Sequence, residues 1–188
     1  MSAKRNNRGS LAEFGPALLI FIVFIFVPLL DFGVLPIRYA IAYNGLNQFT
    51  HRLAMAEKMS DAEQMLKSER SLIRWLMSCG VEVTQARLDL RIVNKFNQEK
   101  QVVIPEPSPV PKEWQPDASD GPFFYYLVLT TDMKISPLFI MNLPWKGIPG
   151  LTSPCSINMA TTAPWENLGR DPNAQIQPGA DYPYYMNE

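Results

Sequence analysis

The residues with the types needed for chemistry in this chain are two acids, two cysteines and one histidine. Glu13 and Asp31 bracket a run of seventeen uncharged positions, Phe14 to Leu30. A carboxylate at the edge of such a run is costly unless paired, and acids in that setting are often functional. Each acid also has a plain reading. Glu13 is an interfacial acid near a helix N-terminus, where the dipole favours negative charge, and Asp31 marks the outer headgroup boundary. His51 is the only histidine. One imidazole with the spacing of Cys79 and Cys155 does not make a zinc ligand set, and one histidine on a helix near a membrane does not support a Ser/His/Asp arrangement. There is no phosphate-binding glycine loop and no CxxC. Asp31-Phe32-Gly33 matches a kinase tripeptide by letters alone, since it lies in an apolar run without the other kinase elements. The chain therefore reads as non-enzymatic, with no catalytic residue, metal or cofactor assigned. The aromatics Trp114, Trp145, Trp165 and the cluster from Tyr182 to Tyr185 admit a sugar- or partner-binding face, although core filling is the commoner use of such residues.

The elements that position these residues begin with a membrane segment. A span needs about 20 mostly apolar residues, and the stretch Gly15 to Ile37 supplies them with one charge, Asp31. Its β-branched and aromatic residues are poor helix formers in water, but lipid forces a helix because every backbone group must be paired internally. Pro16 reads as lying near the helix start, whereas Pro28 and Pro36 predict a kink or break. A cleaved secretory signal has an apolar run of about 7–15 residues and a small-x-small site. This run is longer and leads instead into Asp-Phe-Gly-Val-Leu-Pro. Lys4, Arg5 and Arg8 precede it with no acid among them, which places the N-terminus in the cytoplasm and exports the rest. The net charge of −1 offers no basic field for nucleic acid.

Beyond the span, apolar residues from Ile41 to Leu76 recur at steps of three and four, with charges on the other face, so 38–79 reads as an amphipathic helix. Ser60-Asp61-Ala62-Glu63 allows a second helix start within it, and Gly80 suits a C-terminal cap. Leu88 to Asn94, Gln101 to Ile104 and Phe123 to Ile135 read as strands of a small antiparallel sheet packed on the helix. Six of the seventeen prolines fall between Pro105 and Pro122, which marks a loop. The fold class is α+β: a long N-terminal transmembrane helix continuing into an amphipathic helix, then a small antiparallel sheet and Pro-rich irregular loops. The expected organisation is a basic leader at 1–9, the span at 10–37, the amphipathic helix at 38–79, a strand-rich exported domain at 80–158 and an irregular tail at 159–188. In an exported, oxidising setting Cys79 and Cys155 could form a disulfide, stabilising by about 4 kcal/mol on chain-entropy grounds. Two separate buried thiols are the alternative.

Gly9, Glu13-Phe14, the spacing to Asp31-Phe32-Gly33, and the small and basic residues beyond (Arg38, Ala40, Ala42, Arg52 and Ala54) form an ordered set. It resembles the N-terminal region of the TadE-like family, the pseudopilins or minor pilins of tight-adherence (Flp-type) pilus systems. The resemblance covers about Arg8 to Ala54, roughly a quarter of the chain. It implies cleavage between Gly9 and Ser10 by a prepilin-type peptidase on the cytoplasmic side. Glu13 would then stand fourth in the mature chain, where the family usually has its glutamate fifth. It also implies fellow pilins and an assembly platform as partners, a single-pass protein of the inner (cytoplasmic) membrane, and a C-terminal domain that is periplasmic or extracellular. The freed amine at Ser10 of one subunit would pair with a buried carboxylate of the next, and Glu13 and Asp31 are the candidate helix-packing charges. The alternative function is an uncleaved, membrane-anchored exported binding domain.

Overall fold

A computed structural model of the chain describes residues 8–56, 59–105, 110–115, 118–139 and 147–165, with side-chain surroundings described from residue 14 onward. Helix α1 (Arg8–Phe21) leads through a single wide π-turn (Ile22–Phe26) into α2 (Val27–Leu53). Helical backbone thus runs unbroken over 8–53, about 69 Å at 1.5 Å per residue.

The helix starts early enough that Pro16 lies inside α1 rather than at its beginning. The irregularity expected near Pro28 takes the form of the π-turn. The Val27 N–H bonds the carbonyl of Ile22, a five-residue step, immediately ahead of the proline that lacks an N–H and whose ring crowds the carbonyl four residues back. At Pro36 the helix continues without a break.

The two halves of this helix have opposite surroundings. Residues 14–30 are exposed or partly exposed throughout, although they are almost entirely apolar. From Asp31 onward one stripe is covered: Asp31, Ala42, Leu46, Phe49 and Leu53 are buried, with Leu35 packed against the core. Their spacing is that of one helix face meeting another layer.

That layer is a four-stranded antiparallel sheet of β1 (Val81–Asn94), β2 (Gln101–Pro105), β3 (Phe123–Ile135) and β4 (Cys155–Pro164), in the order β2-β1-β3-β4. Alternate residues of β3 (Tyr125, Leu127, Leu129, Met133 and Ile135) are buried on the helical side, as the pleat requires. They meet Leu88, Leu90 and Ile92 of β1 and Met159 and Ala163 of β4 in one core.

The amphipathic stretch expected over 38–79 is three helices, and the second start that Ser60-Asp61-Ala62-Glu63 allowed falls at Met59. The chain turns at Ala54–Ala56 after α2, then forms α3 (Met59–Ser68) and α4 (Arg70–Ser78). One long-range bond and one local cap mark the breaks. Near the first, Trp165 donates its indole N–H to the Ala56 carbonyl at 3.0 Å, holding the turn on the sheet. At the second, the Glu69 carboxylate accepts the N–H groups of Ser71 and Leu72, both at 3.1 Å, and caps α4.

Two strand limits also differ from expectation. β1 begins at Val81 rather than Leu88, because a bulge between Val83 and Gln85 interrupts its alternation. The irregular tail does not start at 159, since 159–164 belong to β4. Small and polar residues on this strand hid its period: Thr161 occupies a buried position and forms a 2.6 Å hydroxyl pair with Thr50 of α2.

Candidate functional site

Where the bare half of the helix gives way to the docked half, two charged side chains of α2 bond the loop after β3. Asp31 has no exposed surface. Its Oδ1 accepts the backbone N–H of Leu138 at 2.6 Å and that of Phe139 at 3.3 Å, while Oδ2 is buried without a hydrogen-bond partner. Two helical turns later, Arg38 donates from Nη1 to the carbonyls of Ser136 and, at 3.2 Å, Pro137. The loop after β3 is thus held at both polarities: its carbonyls at 136–137 meet a cation, and its N–H groups at 138–139 meet an anion. The spacing of seven residues puts both side chains on one helix face.

The same level gathers other parts of the chain. The Ser136 N–H bonds the Gly80 carbonyl at 3.0 Å. Gly80 has a φ of +79°, and a Cβ there would come within 2.5 Å of the Arg38 guanidinium. Glycine is therefore needed twice, for the left-handed turn that ends α4 and for the space beside the cation. Leu35 lies against Gly150 in the turn before β4. Helix, sheet end and two loops meet here.

The structure places the sequence-derived site residues as follows. Gly9, Ser10 and Glu13 fall in the first turns of α1, and their side-chain surroundings lie outside the described residues. Asp31 points into its own domain and is bonded there. Cys79 and Cys155 are free thiols, both half-buried. Of the two alternatives, the thiols are separate: Cys79 caps α4 ahead of β1, Cys155 opens β4, and β3 lies between those strands, with Val81 registering with Ile135 and Ile135 with Cys155. Two strand spacings, about 10 Å, then separate β1 from β4, whereas bridged Cα atoms lie within about 7 Å. His51 is exposed on α2. Trp114 and Trp165 are buried, the first tilted against Phe123 with ring centroids 5.3 Å apart, so these two fill the core. Trp145 and Tyr182 to Tyr185 lie outside the described residues. Among the described residues no group of three or more histidines, cysteines and acids comes together to hold a metal ion.

An open concavity of about 420 Å³ lies between α2 and α4, with Phe49, Leu72 and Trp75 as its apolar wall and Asn44, Gln48 and Arg52 at its polar rim. It exists because Gly45 lets the Trp75 ring approach: a Cβ at that position would sit 2.8 Å from the ring. Two acids outside the span have shifted titration. The Ser71 hydroxyl, then the Leu72 N–H, hold Glu69 below its ordinary 4.5. The hydrogen bond from Lys100, 2.6 Å away, lowers Asp120. Arg38, which closes the clamp, went unremarked as a site residue in the sequence. Its signals are its place among the basic residues beyond the apolar run and the spacing of seven from Asp31.

Comparison of the chain with protein-family models, with curated proteins and with solved structures returned no match.

Proposed function

We propose that this chain is a structural or assembly subunit of a pilus or secretion apparatus, similar in kind to TadE-like pseudopilins and minor pilins. The observation that supports this reading most directly is the division of one helix. Its outer half is docked on a sheet, and its inner half presents seventeen uncharged residues to no part of the described domain. Phe14–Leu53 is the one helix among the described residues long and apolar enough to cross a membrane. An apolar surface of that length is stable only in lipid or among other apolar helices. A subunit that is first held in a bilayer and then packed against copies of itself meets both conditions in turn.

In this reading the basic residues Lys4, Arg5 and Arg8 keep the N-terminus in the cytoplasm, and the sheet domain faces the periplasm or the exterior. A prepilin-type peptidase hydrolyses the Gly9–Ser10 bond. Glu13 pairs with the freed amine of a neighbouring subunit, and this pairing sets the stagger between helices. Asp31 serves inside its own chain as the acceptor that fastens the loop after β3, which leaves Glu13 as the packing charge between subunits.

The test is the intact mass and N-terminal sequence of the protein purified from its native membrane. A chain starting at Ser10, with Gly9→Ala blocking the cut, is the expected result. A chain still carrying Met1 or Ser2 overturns processing and leaves an anchored binding domain. A start beyond Ile37 overturns the anchor itself.

A further inference from the structure

We infer that the loop at 136–139 is a second membrane contact, lying in the interface of the bilayer that the helix crosses, with Leu138 and Phe139 reaching the acyl-chain boundary. The inference rests on the reading of 14–30 as a span and adds to it a contact made by the sheet domain. Counted from Phe14, the roughly 20 residues that a bilayer's hydrocarbon requires end near Gly33, past Asp31. A carboxylate at that depth is costly in contact with lipid. Asp31 has no such contact, because the loop after β3 covers it.

The covering residues are therefore themselves at that depth. The N–H groups of Leu138 and Phe139 are 2.6 and 3.3 Å from Asp31 Oδ1. Leu138 and Phe139 are nevertheless 48% and 44% exposed, an apolar pair whose backbone, on the covered side, meets Asp31. Ile148, 48% exposed, stands in the neighbouring turn that Gly150 holds against Leu35. Tyr39 and Tyr43, exposed on the next turns of α2, are amphipathic rings at the headgroup level.

The two ends of the sheet differ in the corresponding way. β1 leaves the level of Arg38 at Val81 and ends at Asn94, so the β1–β2 hairpin is the far end. That hairpin carries Lys95, Glu99 and Lys100, whereas the described near-end loops, 136–139 and 147–154, carry no charge.

The test uses the full chain with Cys79→Ser and Cys155→Ser, in phosphatidylcholine vesicles, with a nitroxide on one introduced cysteine at a time. Ile25→Cys reports the span, Phe139→Cys the loop and Phe96→Cys the far hairpin, where Phe96 is 80% exposed. Leu138→Cys is an independent second loop site should Phe139→Cys not fold. Relaxation by oxygen, which partitions into lipid, is compared with relaxation by an aqueous nickel chelate. The expected oxygen-to-nickel ratio at Phe139 or Leu138 is several-fold above that at Phe96 and below that at Ile25. A ratio at both loop sites equal to that at Phe96, with Ile25 still in lipid, overturns the loop contact and leaves the span. A water-like ratio at Ile25 overturns the span, and the loop contact with it.

Discussion

The bond between Asp31 and the loop shows how one carboxylate can organise the junction between a bare apolar helix and its docked domain. Hydrogen bonds to a charged group contribute about 1.5–3 kcal/mol each, against about 1 kcal/mol for neutral pairs. Asp31→Ala removes the acceptor of two N–H groups at once. Amide hydrogen exchange at Leu138 and Phe139 should then accelerate about tenfold to a hundredfold, with the β1–β3 amides unchanged, since local opening follows the local free energy. Unchanged exchange at 138–139 would show that the loop is held by other means. Glu69 offers a pH-dependent case. Its folded-state titration lies below the ordinary 4.5, chiefly through the Ser71 hydroxyl. The cap's contribution is therefore complete above that value and is lost as pH falls through the lower, folded one. Glu69→Gln should cost about 1 kcal/mol near neutral pH, as N-cap losses do, and the difference in thermal midpoint from the native chain should shrink in acid. A constant difference across that range would mean that the charge plays no part. Arg52, 3.8 Å away and exposed, adds little in solvent.

At the scale of elements, the packing of α2 on β4 combines apolar burial with one polar contact. Thr50 and Thr161 are both fully buried, their hydroxyls 2.6 Å apart, and Thr50 also donates to the Leu46 carbonyl. Thr161→Val leaves Thr50 a remaining acceptor, whereas Thr50→Val leaves the Thr161 hydroxyl without this partner in a dry interface. The second change should therefore cost more, about 1–3 kcal/mol. The double variant should be less destabilised than the sum of the two, by a coupling of about 0.5 kcal/mol or more. Additive losses in chemical denaturation would indicate that the hydroxyl pair is incidental. This contact also explains why β4 was hard to read. A buried threonine at a core position removes the apolar alternation that marks a strand, and its neighbours Ala160, Thr162 and Ala163 are small. β3 was legible end to end because its alternate residues are large and apolar. The long helix was over-read for the converse reason. Steps of three and four persist across α2, α3 and α4, so periodicity alone passes over the turn at Ala54–Ala56, which a tryptophan over a hundred residues away holds; the capping pattern from Ser60 was its one local mark.

At the scale of the molecule, the chain is a docked domain on a bare rod, and the rod's apolar surface makes a direct prediction. Alkaline carbonate washing of membranes that contain the protein should leave the full chain in the pellet, because the span's retention does not depend on charge. Release into the supernatant would overturn the membrane reading at its root. What the sequence determined by itself is what depends on local pattern: the apolar run and its length, the basic flank, the α+β class, and the strands with strong alternation. These follow from the chemistry of neighbours a few residues apart. Only the tertiary structure decided the rest. It showed that Asp31 faces inward onto backbone N–H groups 107 and 108 positions away, that Arg38 closes the same loop, that Cys79 at the end of α4 and Cys155 at the start of β4 are separate thiols, and that Trp114 and Trp165 fill the core. Each of these depends on which distant segments come together, and that is set by the closing of the whole core and by no stretch of residues within it.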